Sequence, residues 1–73
     1  MQDYECRLKK YRKLKKLTRE QLGRQVGLSV RAIGRLERAE YAPRLETAVY
    51  ISRVLDTPVE GLFVFPQENP RGQ

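Results

Sequence analysis

The sequence contains no histidine and no tryptophan, and its only cysteine is Cys6. Without histidine it lacks the most common general base and the most common metal ligand of proteins. A single cysteine cannot form an internal disulfide, and it leaves no group of cysteines and histidines for a structural zinc site. These absences argue against an enzyme and against any metal or other cofactor.

Long apolar runs are missing as well. Hydrophobic residues form 40% of the 73 residues, which is enough for a folded core, but charges interrupt them well before the run of about 20 that crosses a membrane. The N-terminus has no apolar stretch of signal-peptide type, and a lone thiol suits a reducing compartment. We therefore expect a soluble domain in the cytoplasm with no membrane partner.

Positive charge is what the sequence has in excess. Fifteen Lys and Arg against nine Asp and Glu give a net charge of +6, and such an excess attracts polyanions such as nucleic acid. We expect a chain of this length to form one small domain, without a large catalytic cleft or a separate ligand-sensing domain. The expected partner is a negatively charged macromolecule, and no small-molecule ligand is expected.

The first part of the chain predicts two helices. Leu8 and Tyr11 lie three residues apart, which places them on one face of a first helix over residues 5 to 15. Thr18 and Gln21 have the spacing of a capping box, so a second helix begins there. The many lysines around the first helix therefore belong to a folded segment and not to a disordered basic arm.

A sharp turn and a third helix follow. Gly27 can take the left-handed conformation that the turn requires, and Ser29 caps a helix that runs from Val30 to about Arg38. Two short helices joined in this way form a helix-turn-helix, whose second helix enters the major groove of DNA. The outer side of the third helix is predicted to carry Val30, Arg31, Gly34 and Arg35.

The remaining residues predict two more helices and a strand. After a loop over residues 39 to 44, a fourth helix is marked by Leu45, Ala48, Ile51 and Leu55. Thr57 as the cap and Pro58 in the first turn begin a short fifth helix that ends near Phe63. Residues 63 to 66 have strand composition, and residues 67 to 73 are expected to form a flexible tail.

Three segments match one family pattern in order and without a gap: L-K-K-Y-R-K-L-K-K-L-T-R-E-Q-L, V-G-L-S-V-R-A-I-G-R-L-E and Y-A-P-R-L-E-T-A. Over residues 8 to 63 the sequence thus resembles the XRE family, the phage-repressor and Cro type of helix-turn-helix. The ending D-T-P-V-E-G-L-F-V-F-P is similar to that of the small stand-alone bacterial regulators of the enterococcal cytolysin repressor type. The resemblance implies an all-α, five-helix, lambda-repressor-like DNA-binding domain over residues 1 to 66, with a short C-terminal β-strand.

The resemblance also implies roles for individual residues. Val30, Arg31 and Arg35 match base-facing positions, and Arg31 is the strongest candidate for specificity because its planar fork can donate two hydrogen bonds to guanine. Positions that hold DNA phosphates in the family are matched by Thr18, Arg19, Ser29, Tyr41 and Arg44. Arg12 and Glu37 match a structural ion pair beneath the DNA-binding surface.

Two residues depart from what helices of this kind prefer. Ala39 stands where the family usually has glycine, just past the third helix, and alanine is strained there, so the helix is expected to end differently. Gly34 lies inside the same helix, where glycine costs about 1 kcal/mol relative to alanine. Either it allows closer approach to DNA or it has no role.

The apolar C-terminal segment raises the question of assembly. A small monomer rarely exposes such a patch, so a symmetric dimer is expected through the fifth helix and the strand. Its interface would comprise Val59, Leu62, Phe63, Val64 and Phe65. Pairing of the strand with residues 4 to 6 of the same chain is left open, and the alternative is a monomer whose tail folds back over its own core.

The leading functional hypothesis is a repressor that binds a palindromic operator in double-stranded DNA as a homodimer in the bacterial cytoplasm. A second hypothesis is an antitoxin that binds DNA and also a toxin, which the genomic neighbourhood would distinguish. A third is a protein-interaction module that has lost DNA binding. The basic outer face argues against the third, and an enzyme is the least favoured class.

Overall fold

The computed structural model describes residues 4–66. In chain order its elements are β1 (Glu5–Cys6), α1 (Leu8–Leu14), α2 (Arg19–Val26), α3 (Val30–Glu37), α4 (Leu45–Leu55), α5 (Val59–Leu62) and β2 (Phe63–Val64). The predicted fold, five helices with a short C-terminal strand, is confirmed. The predicted flexible tail over residues 67 to 73 lies outside the described residues.

One apolar core joins all five helices. Its fully buried side chains are Leu8, Leu22, Ile33, Leu36, Ile51, Leu55 and Leu62. Because α2 packs against both α3 and α4, the inner side of α3 is fixed by the core while its outer side stays free. Within the described part of the chain, no helix combines the length and the apolar character needed to span a bilayer.

The first helix begins later than its apolar spacing predicted. It starts at Leu8 and not at residue 5, because Glu5 and Cys6 form β1. In the antiparallel pair with β2, Glu5 lies opposite Val64 and Cys6 opposite Phe63. The strand pairing that the sequence left open is therefore present, and it takes the residues that the helix would otherwise use.

Two details of the later helices also differ from expectation. Pro58 and not Thr57 occupies the cap of α5, since the Thr57 hydroxyl donates to the Leu55 carbonyl at 3.0 Å. In α4 the inward stripe begins at Ala48, because Leu45 at the first position is 78% exposed. Neither change alters the order or number of the helices.

The apolar C-terminal segment is mostly covered by its own chain. Leu62 and Phe63 are 0% and 3% exposed, and the ring of Phe63 meets the ring of Tyr4 edge to face with centroids 5.9 Å apart. Leu62 and Phe63 therefore fold back into the core, as the monomer alternative expected, and the prediction that they form a partner interface is corrected. Val64 is half-buried, and Phe65 is 51% exposed.

Candidate nucleic-acid interface

The start of α2 is fixed by the predicted capping box. The backbone N–H of Gln21 donates to the Thr18 hydroxyl at 3.0 Å, and the backbone N–H of Thr18 donates to the Gln21 amide oxygen at 2.8 Å. Two of the unpaired N–H groups at this helix end are thereby satisfied. Thr18 thus has a defined structural role at the position where the family resemblance also implies a phosphate contact.

The turn between α2 and α3 depends on two glycines and a serine. Gly27 has φ of 77°, in the left-handed region, as predicted. A side chain at Gly23 would overlap the carbonyl oxygen of Leu28, so this position needs glycine for close packing of the turn. The Ser29 hydroxyl accepts a hydrogen bond from the Ala32 N–H at 3.1 Å and caps α3.

The outer side of α3 presents three of the predicted DNA-facing side chains to solvent. Val30, Arg31 and Arg35 are all exposed, and Val30 is 48% exposed although it is apolar. Among the ion pairs formed by residues 4–66, none involves Arg31. A long cationic side chain with several uncommitted donors therefore projects from this helix.

Gly34 does not belong to this exposed face, which corrects its predicted placement. It is buried, and a Cβ atom there would lie 3.3 Å from Nη1 of Arg38 and 3.9 Å from Cζ of Arg19. The missing side chain lets two guanidinium groups lie against the helix. Gly34 thus lies beneath two arginine side chains, a placement that differs from both alternatives drawn from the sequence.

Beneath this surface, the Glu37 carboxylate accepts from two arginines. Arg12 Nε lies 2.7 Å from Oε2, which is the expected pair, and Arg19 Nη2 lies 3.0 Å from Oε1. The Glu37 side chain is only 2% exposed and that of Arg12 only 9%, and Arg12 also donates to the Leu17 carbonyl at 2.8 Å. The sequence missed the second arginine, which connects the start of α2 to the end of α3.

The third helix ends with alanine in the conformation that glycine usually takes. Ala39 has φ of 56°. Its N–H donates to the Leu36 carbonyl at 2.9 Å, and the N–H of Glu40 donates to the Arg35 carbonyl at 3.0 Å. This pair of bonds is a Schellman motif, whose hydrogen bonds offset a left-handed alanine strain of roughly 1 kcal/mol. The prediction that the helix ends differently is therefore wrong.

Glu40, placed by this motif, forms ion pairs with two arginines that the sequence analysis did not connect to it. Its Oε1 lies 3.1 Å from Arg35 Nε, and its Oε2 lies 2.6 Å from Arg38 Nε. The hydrogen bonds from Arg38 and then Arg35 hold the pKa of the Glu40 carboxyl below its usual value. The sequence held no local signal for these contacts, because they depend on the left-handed backbone of Ala39.

The loop before α4 holds the last two predicted phosphate contacts. Tyr41 is half-buried, and its ring centroid lies 5.1 Å from Cζ of Arg35. The backbone carbonyl of Tyr41 accepts a hydrogen bond from the Tyr4 hydroxyl at 2.7 Å. Burial raises the pKa of Tyr4 to about 12, so the hydroxyl keeps its proton. Arg44 stands at the cap of α4 and is exposed.

Acidic and thiol side chains do not gather in the described region. Within residues 4–66, no three His, Cys, Asp or Glu side chains lie close enough together to hold a metal ion. Burial raises the pKa of the Cys6 thiol above its usual value, which disfavours the reactive thiolate. The polar groups of this surface are arginine guanidinium groups and the ends of helices.

Residues 8–62 match the helix-turn-helix family. The chain belongs to this family. Two uncharacterized HTH-type transcriptional regulators of Archaeoglobus fulgidus are 36% and 34% identical to it, over 85% and 92% of this chain and 87% and 96% of their own lengths. A third such regulator, from Methanocaldococcus jannaschii, is 32% identical over 85% of this chain and 94% of its own length.

A solved structure has the same helix arrangement. The N-terminal DNA-binding domain of SinR from Bacillus subtilis superposes with a TM-score of 0.70 at 26% identity, covering 86% of this chain and 91% of that domain. Together with the family match, this confirms the XRE-type helix-turn-helix that the sequence resembled. The narrower likeness to the enterococcal regulators stays a prediction.

Proposed function

We propose that this protein is a transcriptional repressor that binds a palindromic operator in double-stranded DNA as a homodimer in the cytoplasm. The observation that carries the proposal is the exposed outer side of α3, from which Arg31 projects without an ion-pair partner among residues 4–66. Membership of the helix-turn-helix family and relatives named as transcriptional regulators support it. They also favour a regulator over an enzyme.

Base recognition is assigned to the side chains on this face. Arg31 and Arg35 supply guanidinium donors that suit the O6 and N7 acceptors of guanine, and a good bidentate contact is worth roughly 1–3 kcal/mol of discrimination. Val30 offers only an apolar surface, which suits a thymine methyl group. Its exposure in the free protein fits a side chain that is covered on binding.

Phosphate contacts are assigned to residues at the starts of α2, α3 and α4 and in the loop after α3. They are Thr18, Arg19, Ser29, Tyr41 and Arg44. Thr18 and Ser29 begin eight-residue helices, where backbone N–H groups and the helix dipole favour an anion. Such contacts position the protein on the duplex but carry no sequence information.

The homodimer is assigned to the accessible part of the C-terminal segment. Val59 and Val64 are half-buried, and Phe65 stays 51% exposed even though it stacks on Tyr4 at 5.1 Å. A second copy would cover this apolar surface. A symmetric dimer would also place two copies of α3 in successive major grooves, about 34 Å apart.

The test is selection of bound sequences from a random duplex library by the purified protein at about 150 mM salt, where purely electrostatic binding is weakened. We expect enrichment of an inverted repeat whose half-sites are one helical turn apart. Retention of duplex without an enriched sequence would contradict sequence-specific regulation. No retention at all would favour a protein-interaction module.

A further inference from the structure

Arg35 is held by its own chain, whereas Arg31 on the same helix face is not. The Nε atom of Arg35 donates to Oε1 of Glu40 at 3.1 Å, and its guanidinium carbon lies 5.1 Å from the centroid of the Tyr41 ring. The hydrogen bonds of residues 4–66 include no acceptor for its two terminal nitrogens. The side chain is therefore fixed at its inner end and uncommitted at its outer end.

Glu40, whose carboxylate binds Arg35, is itself positioned by a backbone hydrogen bond. The Schellman motif at the end of α3 hydrogen-bonds the N–H of Glu40 to the carbonyl of Arg35 at 3.0 Å, which places the backbone of Glu40 beside the arginine that its carboxylate binds. Arg38 holds the second carboxylate oxygen at 2.6 Å. Tyr41 is anchored in turn, because its backbone carbonyl accepts a hydrogen bond from the hydroxyl of the buried Tyr4 at 2.7 Å.

We propose that Glu40, with the Tyr41 ring, is a positioning residue that orients the outer edge of Arg35 toward one guanine in each operator half-site. This inference rests on the proposed DNA-binding function. A freely rotating arginine loses its side-chain freedom when it meets a base, and a side chain that is already oriented loses less. With Nε committed to Glu40, the two terminal nitrogens are left to donate to O6 and N7 of guanine.

Positioning predicts effects of opposite sign on specificity and on overall affinity. Removing the Glu40 carboxylate frees Arg35 to take other conformations, so discrimination for guanine falls. The same change removes a negative charge beside the DNA surface, so binding to any duplex strengthens and becomes more dependent on salt. Removing a carboxylate that did not position Arg35 would leave the base preference unchanged, whatever its effect on overall affinity.

The experiment repeats the duplex selection with four proteins: wild type, Arg35→Ala, Glu40→Ala and the control Glu20→Ala. Glu20 matches Glu40 because it is an exposed carboxylate paired with an arginine, Arg24, at 3.1 Å, but on α2. Arg35→Ala identifies the base pair that Arg35 reads. Thermal unfolding followed by circular dichroism checks that each variant folds, and Glu40→Gln replaces Glu40→Ala if the latter does not.

We expect Glu40→Ala to lower the preference for guanine at that base pair by about tenfold, within the range of one bidentate contact, while Glu20→Ala leaves it unchanged. Both variants should bind an unrelated duplex more tightly than wild type. An unchanged or increased preference in Glu40→Ala would overturn the positioning role, as would an Arg35→Ala profile identical to wild type. If wild type itself selects no sequence, the proposed function fails, which is a different result.

Discussion

At the residue scale, the Glu37 carboxylate connects three helices, because it lies at the end of α3 and pairs with arginines of α1 and α2. It is buried and lies between Arg12 and Arg19, and its loss would leave Arg12, which is 7% exposed, without a counter-charge. Removing one partner of a buried ion pair typically costs about 3–5 kcal/mol. The two arginines are not equivalent, since the Arg19 side chain is 39% exposed.

We therefore predict that Glu37→Gln lowers the free energy of unfolding by about 3–5 kcal/mol, enough to unfold much of a small domain. Arg19→Met should cost much less, because Glu37 keeps Arg12 and the exposed Arg19 contributes little to stability. Urea and thermal unfolding followed by circular dichroism measure both. A melting temperature for Glu37→Gln equal to that of wild type would refute this role.

At the element scale, the two glycines inside α2 and α3 are both buried but for different reasons. A side chain at Gly23 would overlap the backbone carbonyl of Leu28, which cannot move without opening the turn. At Gly34 the nearest atom is Nη1 of Arg38 at 3.3 Å, a terminal nitrogen of an exposed side chain that needs to shift by only a few tenths of an ångström. The same substitution should therefore have opposite effects in the two helices.

We predict that Gly23→Ala destabilises the protein by about 1–3 kcal/mol, as overpacking does, and that Gly34→Ala stabilises it by up to about 1 kcal/mol through helix propensity. Denaturant unfolding of the two variants beside wild type gives both values. Equal changes in the two variants would contradict the packing that distinguishes them.

The helices also show what the sequence could and could not predict. Thr18, Gly27 and Ser29 are local signals, so the helix-turn-helix followed directly from spacing and capping. The start of α1 could not be predicted in this way, because Glu5 and Cys6 pair with a strand nearly 60 residues away in the chain. Local sequence patterns contain no information about such a contact. The Glu40 contacts with Arg35 and Arg38 were missed for a related reason, since they depend on the left-handed backbone of Ala39.

At the scale of the whole molecule, assembly now depends on fewer residues than the sequence suggested. Leu62 and Phe63 complete the core of their own chain, and Phe65 is the large apolar side chain of the C-terminal segment that stays exposed. If the proposed dimer forms, its self-association should therefore be sensitive to substitution of Phe65. Leu45 provides a matched control, since it is also an exposed apolar side chain, on α4.

We predict that the wild-type protein sediments as a dimer in analytical ultracentrifugation and that Phe65→Ser weakens self-association by at least about tenfold, the effect of losing roughly 1.4 kcal/mol of apolar burial. Leu45→Ser should sediment as wild type does. A wild-type protein that stays monomeric at every concentration would rule out the proposed homodimer.

The central claim is that the outer side of α3 distinguishes one DNA sequence from another through Arg31. The most direct measurement is the ratio of affinities for the selected operator and for an unrelated duplex, in wild type, Arg31→Ala and Arg24→Ala. Arg24→Ala removes the same charge from an exposed position on α2. We predict that Arg31→Ala lowers the ratio by about 5- to 150-fold, as one lost bidentate contact would, and that Arg24→Ala leaves it unchanged. Equal weakening of both duplexes by Arg31→Ala would contradict the claim, because Arg31 would then bind DNA without reading it.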